Sequence, residues 1–138
     1  MNEKILLLSD KQEDLEFLNQ KFGSNGYGVL RRPLQADTEA RILDDDFSLV
    51  LADYDLIRDQ VERFFEFQKG HSKASIIFYG TETDPTRIAL ILQNGIYAFI
   101  RRANLSERIH ETVVGALENR KAFLKILNIL NTESSNKQ

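Results

Sequence analysis

Residues 47–53 read Phe47-Ser48-Leu49-Val50-Leu51-Ala52-Asp53, an apolar run closed abruptly by an acid and followed by Tyr54 and Asp55. A short, nearly continuous apolar run marks a strand buried on both faces of a parallel sheet. Lys4-Ile5-Leu6-Leu7-Leu8 repeats the design and closes on Ser9 and Asp10. Similar short runs lie at Tyr27–Leu30, at Ser75–Tyr79 and, after Gly95, at Tyr97–Ile100. These are the second, fourth and fifth expected strands.

Helical patterns fill the intervals. Leu15, Leu18 and Phe22 recur at helical spacing within Gln12–Phe22, and acids crowd that segment's first turn. Gly23-Ser24-Asn25-Gly26 ends it, and glycine tolerates the left-handed backbone of a helix end. This Gly-rich stretch lacks a lysine and opens no helix, so it does not read as a phosphate loop. Asp37–Leu43 reads as a short helix capped by Asp37 or Thr38. Residues 59–69 carry Val61, Phe64, Phe65 and Phe67 at helical spacing, with a break at Gly70–Lys73, and the aromatics read as core filling. Asp84-Pro85 starts a helix through Gln93, and a last helix begins near Ser106 as a candidate N-cap. Alternating strands and helices predict an α/β fold: a doubly wound, five-stranded parallel sheet with five helices.

The bulk numbers remove several functions. The 138 residues, 42% of them apolar, suit one domain with one core. With 18 basic and 21 acidic residues there is no global cationic field, which argues against nucleic acid as a partner. Without cysteine there are no disulfides, thiolate metal sites or cysteine nucleophiles. His71 and His110 lie far apart without metal-ligand spacing. No secretory signal or membrane-length apolar run occurs, so a soluble, cytoplasmic protein without membrane contact is expected.

In open sheets of this kind, ligands sit at the carboxyl ends of the strands, where the strand order reverses. Asp10 follows the first strand and Asp53 closes the third, so both carboxylates are expected at one crevice. Acids brought together repel unless a cation intervenes, and oxygen-only ligands favour Mg²⁺ over zinc. Magnesium-dependent phosphate chemistry is one reading. The other is that Asp10 caps the next helix and Asp53 merely opens a loop.

Four segments then carry a resemblance. Lys4–Asp10, Phe47–Asp53, Ser75–Thr81 and Gly95–Ala103 look like the signature stretches of the receiver domains of two-component response regulators (CheY-like), in order and at suitable spacing. The resemblance covers roughly residues 1–120, leaving 121–138 as a helical extension and polar tail. It implies a flavodoxin-like sheet of order 2-1-3-4-5. It also implies a signalling module that is no enzyme beyond its own phosphorylation and dephosphorylation. Asp53 resembles the phosphoacceptor, which takes its phosphoryl group from a phosphohistidine on a histidine kinase or phosphotransfer protein. Asp10, Asp53 and the Asp55 backbone carbonyl resemble the Mg²⁺ ligands, with Ser9 as a weak one. Phe99 falls at the aromatic switch position, equally readable as a core ring.

The pattern also departs from the family. Ser9 stands where the family places a further acid, which implies weaker Mg²⁺ binding. Gly80 takes the place of the switch hydroxyl, and Thr81, one residue on, could replace it only if the loop turns inward. Arg102 stands at the usual lysine and Ala103 at the following proline. Arginine keeps the charge but has a larger, planar, two-pronged head. Two versions follow: a phosphorylated receiver, and a phosphorylation-independent pseudo-receiver that binds proteins, favoured if Arg102 points away from Asp53. A third possibility is a flavodoxin-like nucleotide or flavin binder, although no Gly-rich phosphate loop follows the first strand.

Two surfaces suggest partners. Ile88–Leu92 are five consecutive apolar residues, more than one helical stripe buries, so Ile88 or Ile91 is expected to face outward. The family signals and dimerises through this fourth helix, the fifth strand and the last helix, where Arg87, Arg101 and Arg102 would form a positive rim. Beyond Ile109, Val113, Ala116 and Leu117, the apolar pattern continues through Phe123, Leu124, Ile126, Leu127, Ile129 and Leu130. Phe123, Ile126 and Leu130 fit one two-helix seam, which suggests a homodimer or a connector to an output domain outside this chain. Residues 132–138 are polar and are expected to be disordered.

Overall fold

The computed structural model describes residues 3–70 and 74–136, with side chains as far as residue 132. Five parallel strands, β1 (Lys4–Leu8), β2 (Gly28–Arg32), β3 (Leu49–Asp53), β4 (Ser75–Gly80) and β5 (Ala98–Arg101), form one sheet in the order β2-β1-β3-β4-β5. Ala52 lies beside Leu8 and Phe78, Asp53 beside Tyr79, and Gly80 beside Arg101, so the carboxyl ends of the central strands are level.

Alternation along each strand divides the core into two layers. Leu6, Leu8, Val50, Ala52, Ile76 and Phe78 face helices α2 (Thr38–Asp44), α3 (Val61–Gly70) and α4 (Pro85–Gln93), meeting Ile42, Phe64, Phe65, Phe67 and Ile91. Ile5, Leu7, Leu49, Leu51, Ile77, Tyr79 and Ile100 face α1 (Gln12–Phe22) and α5 (Leu105–Asn136), meeting Leu18, Phe22, Ile109, Val113, Ala116 and Leu117. The continuous apolar reading of β3 is explained: all five of its residues are buried.

Boundaries depart from the sequence reading where local geometry intervenes. Chain reversal after α1 uses a 3-10 turn, Gly23–Asn25, closed by Gly26 at a left-handed φ of 79°. β2 starts one residue later than Tyr27 and extends to Arg32. Asp37 occupies the N-cap position of α2 without a side-chain cap, its carboxylate instead meeting Arg41 Nε at 3.2 Å. A one-turn helix, Tyr54–Ile57, and a 3-10 turn, Arg58–Gln60, precede α3, which includes Gly70. The expected break at 71–73, with His71, lies outside the described residues. Asp84 caps α4 as its Asp-Pro sequence predicts, accepting from Thr86 N at 3.0 Å.

Three expectations are corrected. Ile91 faces inward at 2% exposure with Ile88 half-buried three residues earlier, and Ala89, Leu90 (52%) and Leu92 (43%) are the outward residues. Ser106 is not the N-cap of the last helix. A 3-10 turn, Arg102–Asn104, leads directly into Leu105, whose N–H bonds the Arg102 carbonyl. The last helix also continues through Thr132 to Asn136, across most of the segment expected to be disordered, whose residues 137 and 138 lie outside the described residues. With no glycine or proline after Gly115, an established helix propagates at small cost per residue.

Candidate functional site

Asp53 closes β3 at the level edge of the sheet, 3% exposed. Its backbone is still extended while the next residues turn into the Tyr54–Ile57 helix, so its Oδ1 accepts the Asp55 N–H at 3.1 Å. Asp53 therefore does cap a helical turn. Its other oxygen, Oδ2, accepts from Arg102 Nη2 at 3.2 Å. Arg102 enters from the 3-10 turn after β5 and so points toward Asp53.

The same guanidinium binds a second buried acid, Asp14 of α1. Arg102 Nη1 donates to Asp14 Oδ1 at 3.1 Å and Nη2 to Oδ2 at 3.4 Å. Asp14 Oδ2 also accepts from Tyr79 OH at 2.7 Å and from Ser9 Oγ at 2.8 Å. The Arg102 guanidinium carbon lies 5.1 Å from the centre of the Tyr79 ring, within cation-π range. Asp14, Arg102 and Asp53 thus form one charge chain of acid, cation and acid, fixed by two hydroxyls.

The electrostatics follow from this chain. Burial pushes the Asp53 carboxyl above the ordinary aspartate range; Arg102 and the Asp55 N–H oppose that shift without cancelling it. Burial also pushes Asp14 upward, but the hydrogen bonds from Arg102, Tyr79 and Ser9 outweigh it and hold Asp14 below the ordinary range. Arg102 is held protonated, chiefly by its hydrogen bonds to Asp14. Burial, with the bond to Asp14, keeps the Tyr79 phenol protonated far beyond neutral pH.

The remaining expected residues are placed as follows. Asp10 is exposed, just past the end of β1, and is not the cap of α1: Lys11 occupies that position, its N–H bonded to Ser9 Oγ at 3.0 Å. Ser9 is buried. Asp55 is exposed, accepting from Thr81 Oγ1 at 3.0 Å and Thr81 N at 3.3 Å, so the Thr81 hydroxyl is turned to Asp55 rather than Asp53. Gly80 packs tightly: a Cβ there would lie 3.2 Å from Tyr54 Cβ and 3.4 Å from Asp55 Oδ1. Phe99 is half-buried, edge-on to Tyr54 with ring centres 5.5 Å apart. Arg87 is paired with Glu82 at 3.5 Å, whereas Arg101 and Arg108 border a cleft of about 350 Å³ beside β5.

Among the described residues, no group of three or more carboxylate or imidazole side chains converges in a way suited to a metal ion. Mg²⁺ keeps several waters and often takes only one or two protein carboxylates plus phosphate oxygens. Asp10 lies just past the end of β1, and Asp53 closes β3, the neighbouring strand of the sheet. Ser9 is already bonded to Asp14 and Lys11.

Sequence reasoning missed Asp14 and Tyr79. The signal was available: Asp14 is four residues before Leu18 and eight before Phe22, and these three are the buried positions of α1. An acid on the inward stripe of a helix needs a partner inside.

No protein-family model matches the sequence, and no curated protein matches it. Solved structures do. A signal receiver domain from Vibrio parahaemolyticus superposes with a TM-score of 0.79 at 16% identity, covering 91% of this chain and 98% of that one. A CheY-like response regulator receiver domain protein from Methanospirillum hungatei gives 0.74 at 20% identity, over 88% and 98%. NtrX from Brucella abortus gives 0.76 at 19% identity over 94% of this chain, which corresponds to 29% of NtrX. These likenesses, nearly full-length for the first two on both sides, establish that this chain has the receiver-domain fold of response regulators.

Proposed function

We propose that the chain is a signal receiver that accepts a phosphoryl group on Asp53 from a phosphohistidine of a histidine kinase or phosphotransfer protein. The observation that carries this reading is the 3.2 Å contact between Arg102 Nη2 and Asp53 Oδ2, on a carboxylate at the carboxyl end of the central strand. A carboxylate oxygen of Asp53 attacks phosphorus. The new P–O bond forms as the P–N bond to imidazole breaks, and the departing nitrogen keeps the bonding pair and is protonated. Arg102 offsets charge on the phosphoryl oxygens with donors already in place, and the Asp55 N–H orients the attacking carboxylate. Asp10, Asp53 and the Asp55 carbonyl would hold a weakly bound Mg²⁺, whose contribution is further neutralisation of those oxygens.

Two observations favour the second reading, a phosphorylation-independent protein-binding module. A side chain at Gly80 would be crowded, its Cβ 3.2 Å from Tyr54 Cβ, and Arg102 is already shared by two carboxylates. A small phosphoryl donor titrated with Mg²⁺ separates the two. Gain of one phosphoryl group by wild type but not by Asp53→Ala supports the first; no gain by wild type selects the second.

Signal output is assigned to the α4-β5-α5 face, where Leu90 and Leu92 of α4 are exposed, together with the outward apolar residues of the α5 extension. Phe123, Ile126, Leu127, Ile129 and Leu130 are all exposed, Ile126 to 56% and Leu130 to 53%. A seam of this kind pairs with a second copy of the helix. Among the described residues no helix is long and apolar enough to cross a membrane.

A further inference from the structure

Ser9 and Asp14 are joined by a 2.8 Å hydrogen bond, so the Asp14 carboxylate lies one bond from the side chain of position 9. Position 9 immediately follows β1, whose neighbour in the sheet is the strand ending in Asp53. An acid is therefore present at that strand end after all, reaching it from α1.

Four hydrogen bonds converge on Asp14, from Ser9 Oγ, Tyr79 OH and both terminal nitrogens of Arg102. A buried carboxylate without partners is strongly destabilising. The donors differ in role. The hydroxyls of Ser9 and Tyr79 fix the carboxylate, and Arg102 supplies the compensating charge.

Arg102 gains its orientation in return. Toward Asp53 it makes one N–H···O contact, which by itself leaves a guanidinium free to swivel. Toward Asp14 it uses both Nη1 and Nη2, a two-point contact that fixes the guanidinium plane, with the Tyr79 ring beside it.

We propose that Asp14 is the positioning residue of this site: it supplies from the first helix the second carboxylate that position 9 lacks, and it fixes Arg102 where Nη2 reaches Asp53. As a statement about phosphoryl transfer, this rests on Asp53 being the acceptor; as a statement about Arg102, it does not.

The test uses the full chain as wild type, Asp14→Asn, and Asp14→Asn combined with Ser9→Asp, which returns the acid to the strand end. The first readout is the Arg102 guanidinium ¹⁵N NMR signals. Wild type should show separate Nη signals from slow rotation; Asp14→Asn should speed that rotation by roughly tenfold or more, as expected for losing a charge-assisted contact. The double variant should slow it again. A purely structural role for Asp14 gives no such rescue, since a new buried acid at position 9 would only add strain. Unchanged Arg102 signals in folded Asp14→Asn overturn the assignment. Should Asp14→Asn unfold, the double variant decides: folded with separate signals supports the assignment, and unfolded or averaged overturns it.

The second readout is the rate of Asp53 phosphorylation from a small donor, which should fall in Asp14→Asn and recover in the double variant. If wild type shows separate Arg102 signals that depend on Asp14 but takes up no phosphoryl group, the acceptor reading fails and the positioning role stands. If wild type is phosphorylated and Asp14→Asn keeps both its rate and its Arg102 signals, the positioning role fails and the acceptor reading stands.

Discussion

Arg102 binds Asp14 through two nitrogens, at 3.1 and 3.4 Å, and Asp53 through one, at 3.2 Å. The cation is thus anchored on the first helix and lent to the strand end. The basic residue after β5 can reach the central carboxylate only while that anchor holds.

Tyr79 is buried with its hydroxyl 2.7 Å from Asp14 Oδ2. Tyr79→Phe deletes a hydrogen bond to a charged acceptor, and its removal should cost about 1.5–3 kcal/mol of stability. Urea unfolding measures this; a midpoint equal to wild type would show that the bond contributes nothing net.

Stability should depend on pH in two opposite ways. The depressed Asp14 carboxyl makes the unfolded state bind more protons between its folded and unfolded values, so its contribution is present above the unfolded value and lost as pH falls through the folded one. The raised Asp53 carboxyl makes the folded state bind more protons between its own two values, so stability declines as pH rises through that window. Asp14→Asn should flatten the loss on the acid side, and Asp53→Asn should remove the decline on the other. Parallel stability–pH curves for wild type and both variants would refute these assignments.

A side chain at Gly80 would be crowded. A Cβ there meets Tyr54 Cβ at 3.2 Å, and that atom is held close to the backbone. Gly80→Thr, which restores the usual family residue type, should lower stability by about 1–3 kcal/mol through overpacking and give no faster phosphorylation. Thermal unfolding and a phosphorylation time course check both parts, and a stable, faster Gly80→Thr protein would contradict them.

The outward seam of α5 is expected to close on a second copy. Ile126→Glu with Leu130→Glu puts charge on the most exposed apolar positions of that helix. Sedimentation should show a concentration-dependent dimer for wild type and a monomer for the double variant. A wild-type monomer across the accessible range would reject the seam as a self-association surface.

The sheet was legible because each strand is a compact apolar run and each helix has its own period. The apolar run of β3 shows in the sequence because the strand is buried along its whole length, although it begins at Leu49 and not Phe47, and Asp84-Pro85 marks the start of α4 through its cap. The site was half legible. Asp53 and Arg102 come together from 49 residues apart because Asp53 closes β3 and Arg102 follows β5 at the same carboxyl edge of the sheet. Asp14 was overlooked because acids in the first turn of a helix have an ordinary explanation in the helix dipole. Only packing shows that this one points inward beside Leu18 and Phe22. Which of the five apolar residues at 88–92 faces solvent depends on the helix phase against the sheet, and that phase turned Leu90 and Leu92 outward instead of Ile91.

Site mapping of the phosphoryl adduct reads out whether Asp53 is the phosphoacceptor. Wild-type protein is treated with a small phosphoryl donor and Mg²⁺, and the labile product is trapped by borohydride reduction and located by peptide mass analysis. Reduction products are expected at position 53 alone, absent after Asp53→Ala. An unmodified position 53, or an adduct that persists in Asp53→Ala, would contradict the acceptor assignment.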